Sequence, residues 1–286
     1  MSKVVFFSDL HAHEFRPYAT ILPNGMNSRL ADAVHCVNQI HQYAVSQDVD
    51  AVFFGGDMFH IRKSIAVQAF NAVFEAMSQF SLSKIPVLML HGNHDQVDKE
   101  GSIHSIHAFR TFLQIADKPG WVQLQGKDSS NEYAVLAIPY TENLEQLRDA
   151  VQTKGPRTNQ PSFLLGHFGV QGARVGADFV YRNPHDAAVD DLDCDRFDLG
   201  FLGHYHQHQQ LPGADHFHYI GAPLQHNWGD RAQKRGFLSV DTETRHVRFI
   251  HLESPRFIQC NIEDVDSHPE CWDDSYIRLV DDRQWS

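Results

Sequence analysis

The sequence predicts an α/β protein, with a mainly parallel sheet in its first half and antiparallel strands later. Three observations carry that expectation. Short, β-rich apolar runs recur along the 286 residues, amphipathic helical stripes fill several gaps between them, and helical patterns disappear from His206 to His251. Hydrophobic residues make up 42% and charged residues 21% of the chain, ordinary globular usage that excludes a mostly disordered protein.

The strand runs are Val4–Phe7, Ala51–Phe54, Ile85–Leu90, Ala134–Ile138, Phe163–Leu165 and Leu199–Leu202. After Ser28, read as an N-cap, Leu30, Val34, Val37, Ile40 and Ala44 recur at three and four, which predicts a helix to Ser46. A second helix is expected from Ile65 to Phe80, with Phe70, Val73, Phe74, Met77 and Phe80 on one face. Its opposite face carries Ala66, Ala69, Ala72 and Ala76 and is expected to lie exposed unless something covers it. Further helices are expected over Ser102–Ile115 and Asn143–Val151. His216–Ile220, Gly236–Val240 and Val247–His251 look like antiparallel strands joined by tight turns.

No apolar run approaches the ~20 residues of a membrane span. The start, Met1-Ser2-Lys3 followed by Val4–Phe7, is too short for a secretory leader. The expectation is a soluble cytoplasmic protein with no membrane partner, in a host's cytoplasm if phage-encoded. Cys36, Cys194, Cys260 and Cys271 are too widely spaced to suggest a zinc knuckle or a disulfide framework. Histidine is the outlier, at 20 residues, and imidazole is the commonest metal ligand. The net charge of −12 argues against a generic polyanion-binding surface. Half of it falls after Phe257, where eight acids face two arginines. The chain therefore divides into residues 1–253 and a short acidic extension, 254–286.

Unusual residues collect where strands end: Ser8-Asp9-Leu10-His11, Gly55-Gly56-Asp57-Met58-Phe59-His60, Gly92-Asn93-His94-Asp95, Gly166-His167 and Gly203-His204-Tyr205-His206. Strand carboxyl ends of an open α/β sheet converge on one crevice, so clusters far apart in sequence can meet there. The i, i+2 pairs Asp9/His11 and His204/His206 would present both side chains to one side in extended chain. Imidazole, carboxylate and amide oxygen without thiolate suit two ions of Mn²⁺, Fe²⁺ or Zn²⁺ better than a structural zinc. Two such ions can activate water and neutralise the oxygens at phosphorus.

In these motifs residues 3–250 resemble the calcineurin-like metallophosphoesterase superfamily. The resemblance implies a four-layer α/β/β/α sandwich with two mixed sheets. It implies one metal, most simply Mn²⁺, on Asp9, His11 and His206, a second on Asn93, His167 and His204, and Asp57 as the bridge. His94 is then the imidazole beside the scissile phosphate, while Asp95 caps the following helix or orients His94 rather than binding metal.

Gly-Asp-Met-Phe-His, Ser28–Ser46, Tyr219–Pro223 and Ser254–Phe257 are similar to the SbcD-like nuclease subunits of double-strand-break repair complexes. That likeness gives His60 an assisting role at the phosphate and implies DNA as substrate, cut as exonuclease and endonuclease in repair or recombination. The chain stops about thirty residues after the point where those proteins begin a DNA-gathering cap. This shortening weighs against a full cap and against an SbcC-like coiled-coil ATPase as partner. Arg62, Lys63, Arg174, Arg182 and Arg231, together with Lys234 and Arg235, flank the motifs and could form a basic rim for DNA. A cyclic-nucleotide or general small-molecule phosphodiesterase would need no rim and is the rival enzyme. A non-catalytic scaffold is the rival from another class, disfavoured because every ligand position is filled. The resembling nucleases pair through helices of the core, so a symmetric homodimer is expected through the Ile65–Phe80 helix, with Ser102–Ile115 beside it.

Overall fold

The computed structural model describes residues 2–176, 179–180, 183, 185–231, 233–263 and 275–280. Two six-stranded mixed sheets face each other. In the first, β1 (Lys3–Phe7), β2 (Ala51–Phe54), β3 (Val87–Leu90) and β4 (Gln114–Ala116) are parallel, and β13 (Gly236–Asp241) and β14 (Val247–His251) add antiparallel beside β1. In the second, β6 (Glu132–Ile138), β7 (Phe163–His167), β10 (Leu199–Gly203) and β12 (Ala214–Tyr219) are parallel. Antiparallel β5 (Gly120–Gln125) and β11 (Gln209–Leu211) form its edges.

Strand alternation explains the layers. Val4 and Phe6 point between the sheets, where Phe6 stacks on Phe53 and Phe201 at 4.7 and 3.7 Å. Val5 and Phe7 point the other way, onto α1 (Ser28–Ser46) and α2 (Val67–Leu82). The outer face of the second sheet is covered by α3 (Leu144–Gln152) and the segment through Leu192 and Phe197. Burial on both faces is why these strands read as continuous apolar runs; each buried ring contributes roughly 1.5–3 kcal/mol. The result is the four-layer α/β/β/α sandwich. Among the described residues no helix is long and apolar enough to cross a membrane.

Three local expectations need correction. The α1 cap is Asn27, whose Oδ1 accepts from the Arg29 and Leu30 amides at 3.1 and 3.2 Å, while the Ser28 hydroxyl accepts from Thr20. On α2 the alanines are not left bare: Ala69, Ala72 and Ala76 are buried beside α1 and the sheet. Phe70 and Phe74 are half-buried against Phe109, and Gln68, Asn71, Glu75 and Gln79 make a true polar face. The alanine face is therefore covered from within the chain. Finally, Ser102–Ile115 holds no α-helix. Residues 114–116 are drawn into the sheet beside β3, leaving room only for a 3₁₀ turn at His107–Thr111.

Two short strand pairs lie outside the sandwich: β8 (Arg174–Gly176) with β9 (Phe179–Val180), and parallel β15 (Arg256–Asn261) with β16 (Ser275–Val280). The second pair docks through Phe257 and Tyr276, whose rings lie 4.7 Å apart and each 5.7 Å from Tyr18.

Candidate metal centre

The ends of strands β1, β2, β7 and β10, with the loop after β3, bring the expected ligand residues together at one cavity, which His11, Asp57, Asn93, His204 and His206 line while Asp9 and His167 lie buried outside its lining. The cavity measures about 140 Å³ and is lined by His11, Asp57, His60, Asn93, His94, His204, His206, His226 and Asn227. The backbone there is unusual. Asp9, His11, Asp57 and His204 have φ of 57°, 47°, 60° and 89°, left-handed values that cost non-glycine residues roughly 1–3 kcal/mol each. Loop-to-loop bonds offset the cost: the Asp9, His11 and Ala12 amides donate to the carbonyls of Gly56, Asp57 and Met58 at 2.8, 3.0 and 2.9 Å.

The ligand atoms face one another. His11 Nε2 and His206 Nε2 are 3.1 Å apart, and His11 Nε2 is 3.5 Å from Asp57 Oδ2. The same Asp57 oxygen is 3.3 Å from His167 Nε2, which lies 3.2 Å from Asn93 Oδ1; His204 Nδ1 is 3.0 Å from that Asn93 oxygen. Asp9, His11 and His206 can offer atoms within 4.8 Å of one another, as can Asp9, Asp57 and His167.

These residues fit cations better than each other. His167 Nδ1 donates to the Gly55 carbonyl at 2.6 Å, so in a neutral ring Nε2 carries a lone pair aimed at two acceptor oxygens. His11 and His206 likewise set ring nitrogen against ring nitrogen, and His11 Nδ1 is buried without a partner. A divalent ion between such groups turns mutual repulsion into coordination. Burial, aided by neighbouring imidazoles, pushes His204 down to about 3 and His11 well below the ordinary histidine range, leaving the neutral ligand form. Burial pushes Asp57 upward, but His167 and His11 beside it hold its carboxyl well below the usual range. Burial would lower His167, and Asp57 beside it instead brings it up to about 9 in the metal-free site.

His94 and His60 stand at the cavity as a pair. His94 Nδ1 donates to the His60 carbonyl at 2.7 Å, and the rings stack at 5.3 Å. Burial, then His94, pulls His60 down to about 4, so it is neutral near pH 7. The His94 amide also donates to Asp57 Oδ1 at 2.8 Å, tying the pair to the bridging position.

Asp95 neither caps a helix nor touches the His94 ring. It lies buried beneath the Asp57 loop and accepts from the Asp57, Met58, Phe59 and Gly92 amides and the Ser105 hydroxyl at 2.8 to 3.3 Å. Burial, then the charge on Asp57, pushes its carboxyl up to about 6. Gly92 is obligatory beside it, since a Cβ there would sit 2.6 Å from the Asp57 amide nitrogen and His167 Cε1.

The basic residues separate. Arg62 and Lys63 are exposed on the loop after His60, and Arg62 shares a hollow of about 170 Å³ with Lys99 and Tyr140. Arg174 is exposed on β8 and Arg231 in the loop before β13; Arg182 lies outside the described residues. Arg235 is no rim residue: it is buried, paired with Asp230 at 2.7 Å and bonded to the His206 carbonyl. Sequence reasoning missed Tyr140, whose ring is 5.8 Å from His204, and Ser8, whose hydroxyl donates to the Asp9 carboxylate. His226 Nε2 meets the Asp9 carbonyl at 3.0 Å, which no ligand spacing signals.

The family model for calcineurin-like phosphoesterases matches residues 2–208, and the chain belongs to that family. It is similar to Exonuclease subunit 1 of Enterobacteria phage T4, 23% identical over 220 residues, covering 75% of this chain and 59% of that protein. It is also similar to the DNA double-strand break repair protein Mre11 of Sulfurisphaera tokodaii, 24% identical over 228 residues, covering 78% of this chain and 54% of that protein. The chain thus spans a little over half the length of these curated relatives. Among solved structures, the protein TT1561 of Thermus thermophilus aligns with a TM-score of 0.49 at 10% identity, over 88% of this chain and 99% of that one.

Proposed function

We propose that this phosphoesterase hydrolyses phosphodiester bonds in DNA, using two divalent ions, Mn²⁺ being the first to test. Asp9, His11 and His206 would hold one ion, Asn93, His167 and His204 the other, with Asp57 between them. Bound there, the ions would supply a water of lowered pKa and neutralise charge on the phosphodiester oxygens. His94, turned by the His60 carbonyl so that its other nitrogen is free for the cavity, gives a proton or hydrogen bond to the leaving oxygen. The neutral His60 ring keeps that imidazole stacked in place. Asp95 holds the Asp57 loop through three of its backbone amides.

The observation that favours DNA over a small phosphodiester is a cationic groove beside the site. It measures about 810 Å³, is lined by Arg231, Lys234 and Arg256 among glutamines, and among the described residues no carboxylate lines it. A hollow of about 590 Å³ shares Arg231 and Lys234 and reaches His208, two residues beyond the ligand His206. In a chain of net charge −12 such a surface is suited to a phosphate backbone. The relatives described as an exonuclease subunit and a break-repair protein point the same way.

The test is turnover with Mn²⁺ on linear duplex DNA, single-stranded DNA, bis-p-nitrophenyl phosphate and cyclic nucleotides. DNA cleavage is expected. Lys234→Glu with Arg256→Glu should weaken DNA binding and flatten its salt dependence by roughly 0.9 per lost phosphate contact, sparing the nitrophenyl ester. Cyclic-nucleotide turnover without DNA cleavage overturns the reading.

A further inference from the structure

The two ion positions are not supported alike. The segment around His226 packs against the Asp9, His11 and His206 side. The His226 ring is 9% exposed, bonds the Asp9 carbonyl through Nε2 at 3.0 Å, and stands edge-on to the His11 and His206 rings, 5.0 Å from each. It thus touches all three members of one ligand set. The loop itself is held from outside. Arg29, on α1, is buried and donates to the His226 carbonyl at 2.7 Å. Asp230 accepts from the His226 amide at 2.8 Å and pairs with Arg235, which bonds the His206 carbonyl. The guanidinium of Arg29 lies 4.2 Å from the Phe15 ring and 5.7 Å from Tyr276 of β16.

We propose that His226 is a positioning residue for the Asp9–His11–His206 ion site, anchored by Arg29, with no part in the Asn93–His167–His204 site. The inference rests on the two-ion reading above. Its physical basis is that Asp9 and His11 adopt left-handed backbone, which relaxes unless something fixes it. The bond to the Asp9 carbonyl fixes the peptide that follows the ligand, and the ring's edge-on contacts fix the two imidazoles. Partners of this kind are worth roughly 10–100-fold in metal affinity. His226 is the brace, and Arg29 aims it.

Two substitutions separate the bond from the bulk. His226→Phe keeps a ring but removes the donor; His226→Gln keeps a donor and removes the ring. Titration of the metal-free full chain with Mn²⁺ by calorimetry gives stoichiometry and both dissociation constants. His226→Phe should weaken one of two sites by about tenfold or more and leave the other within about twofold. His226→Gln should recover part of the loss. Thermal melting of the metal-free proteins checks that the sandwich is intact, which a merely structural defect would not preserve. If His226→Phe fails to fold, Arg29→Gln removes the anchor instead and should weaken the same single site by a smaller factor. Two wild-type constants in a folded variant overturn the proposal. Equal weakening of both sites overturns it as well. Wild-type chain that binds no Mn²⁺ overturns the two-ion reading itself, a result distinct from either.

Discussion

The two sheets furnish the site by different means. On the second sheet, His167 is simply the last residue of β7, in extended backbone, and one bond to the Gly55 carbonyl sets its ring. On the first, Asp9, His11 and Asp57 all leave their strands through left-handed backbone, which on the second sheet only His204 does among the expected ligands. A strand end projects one side chain at little cost. Placing three ligand-type groups within two short loops demands tight turns, and their strain must be compensated by residues far away in sequence. Asp95 does this beneath Asp57, and the loop around His226 does it above Asp9. The first-sheet half should therefore be the half that distant substitutions can damage.

The largest effect is expected where the halves meet. Asp57 Oδ2 lies within 3.5 Å of both His11 and His167, so Asp57→Ala should release both ions and reduce turnover below detection. Elemental analysis after gel filtration reads the metal content. Retention of both ions in this variant would mean that the halves are not joined through this carboxylate.

Next comes His94, which belongs to neither ion site. His94→Ala should lower kcat by roughly 10²–10⁴-fold with both ions retained, since a proton or hydrogen-bond donor is removed and no ligand is. A variant that lost its metals would show that His94 is structural. Gly92→Ala tests how tightly the halves close. Its Cβ would press on Asp57 and on His167 at once, so one methyl should cost about 1–3 kcal/mol in chemical denaturation, the price of overpacking. A neutral result would mean that the site opens without resistance.

The sequence marked the candidate ligands because metal chemistry restricts residue type and the sheets restrict position. Asp9, His11, Asp57, Asn93, His167, His204 and His206 all fall at strand ends or in the loops that follow them. Their supports were not legible for the opposite reason. A carbonyl accepts from any donor, so nothing in His226 marks the Asp9 carbonyl as its target, and nothing in Arg29 marks the His226 carbonyl. Asp95 was visible as a motif residue, but its bonds go to amides nearly forty positions away, a pairing decided only when β2 and β3 lie side by side. The misread stretch over Ser102–Ile115 has the same origin. Local periodicity suggested a helix, and pairing of Gln114–Ala116 with β3 drew its last two residues into a strand.

The smallest expected effect tests the longest chain of supports. Tyr276 on β16 packs against Arg29, which bonds the His226 carbonyl, and His226 bonds the Asp9 carbonyl. Tyr276→Ala leaves each later bond chemically possible and removes the surface against which Arg29 is held, together with the Tyr276 contacts to Tyr18, Phe257 and Asp32. Arg29 keeps Phe15, at 4.2 Å, as a second aromatic partner. The Asp9–His11–His206 site should therefore weaken by only a few-fold, below the roughly 10–100-fold of a direct partner. The Asn93–His167–His204 site should not change. Mn²⁺ calorimetry at two ionic strengths would separate this from a general charge effect, because loss of a neutral phenol leaves the salt dependence as it was. If both sites weakened together, the strands after Arg256 would be stabilising the whole sandwich, and the contrast between the two halves would reduce to one of backbone geometry.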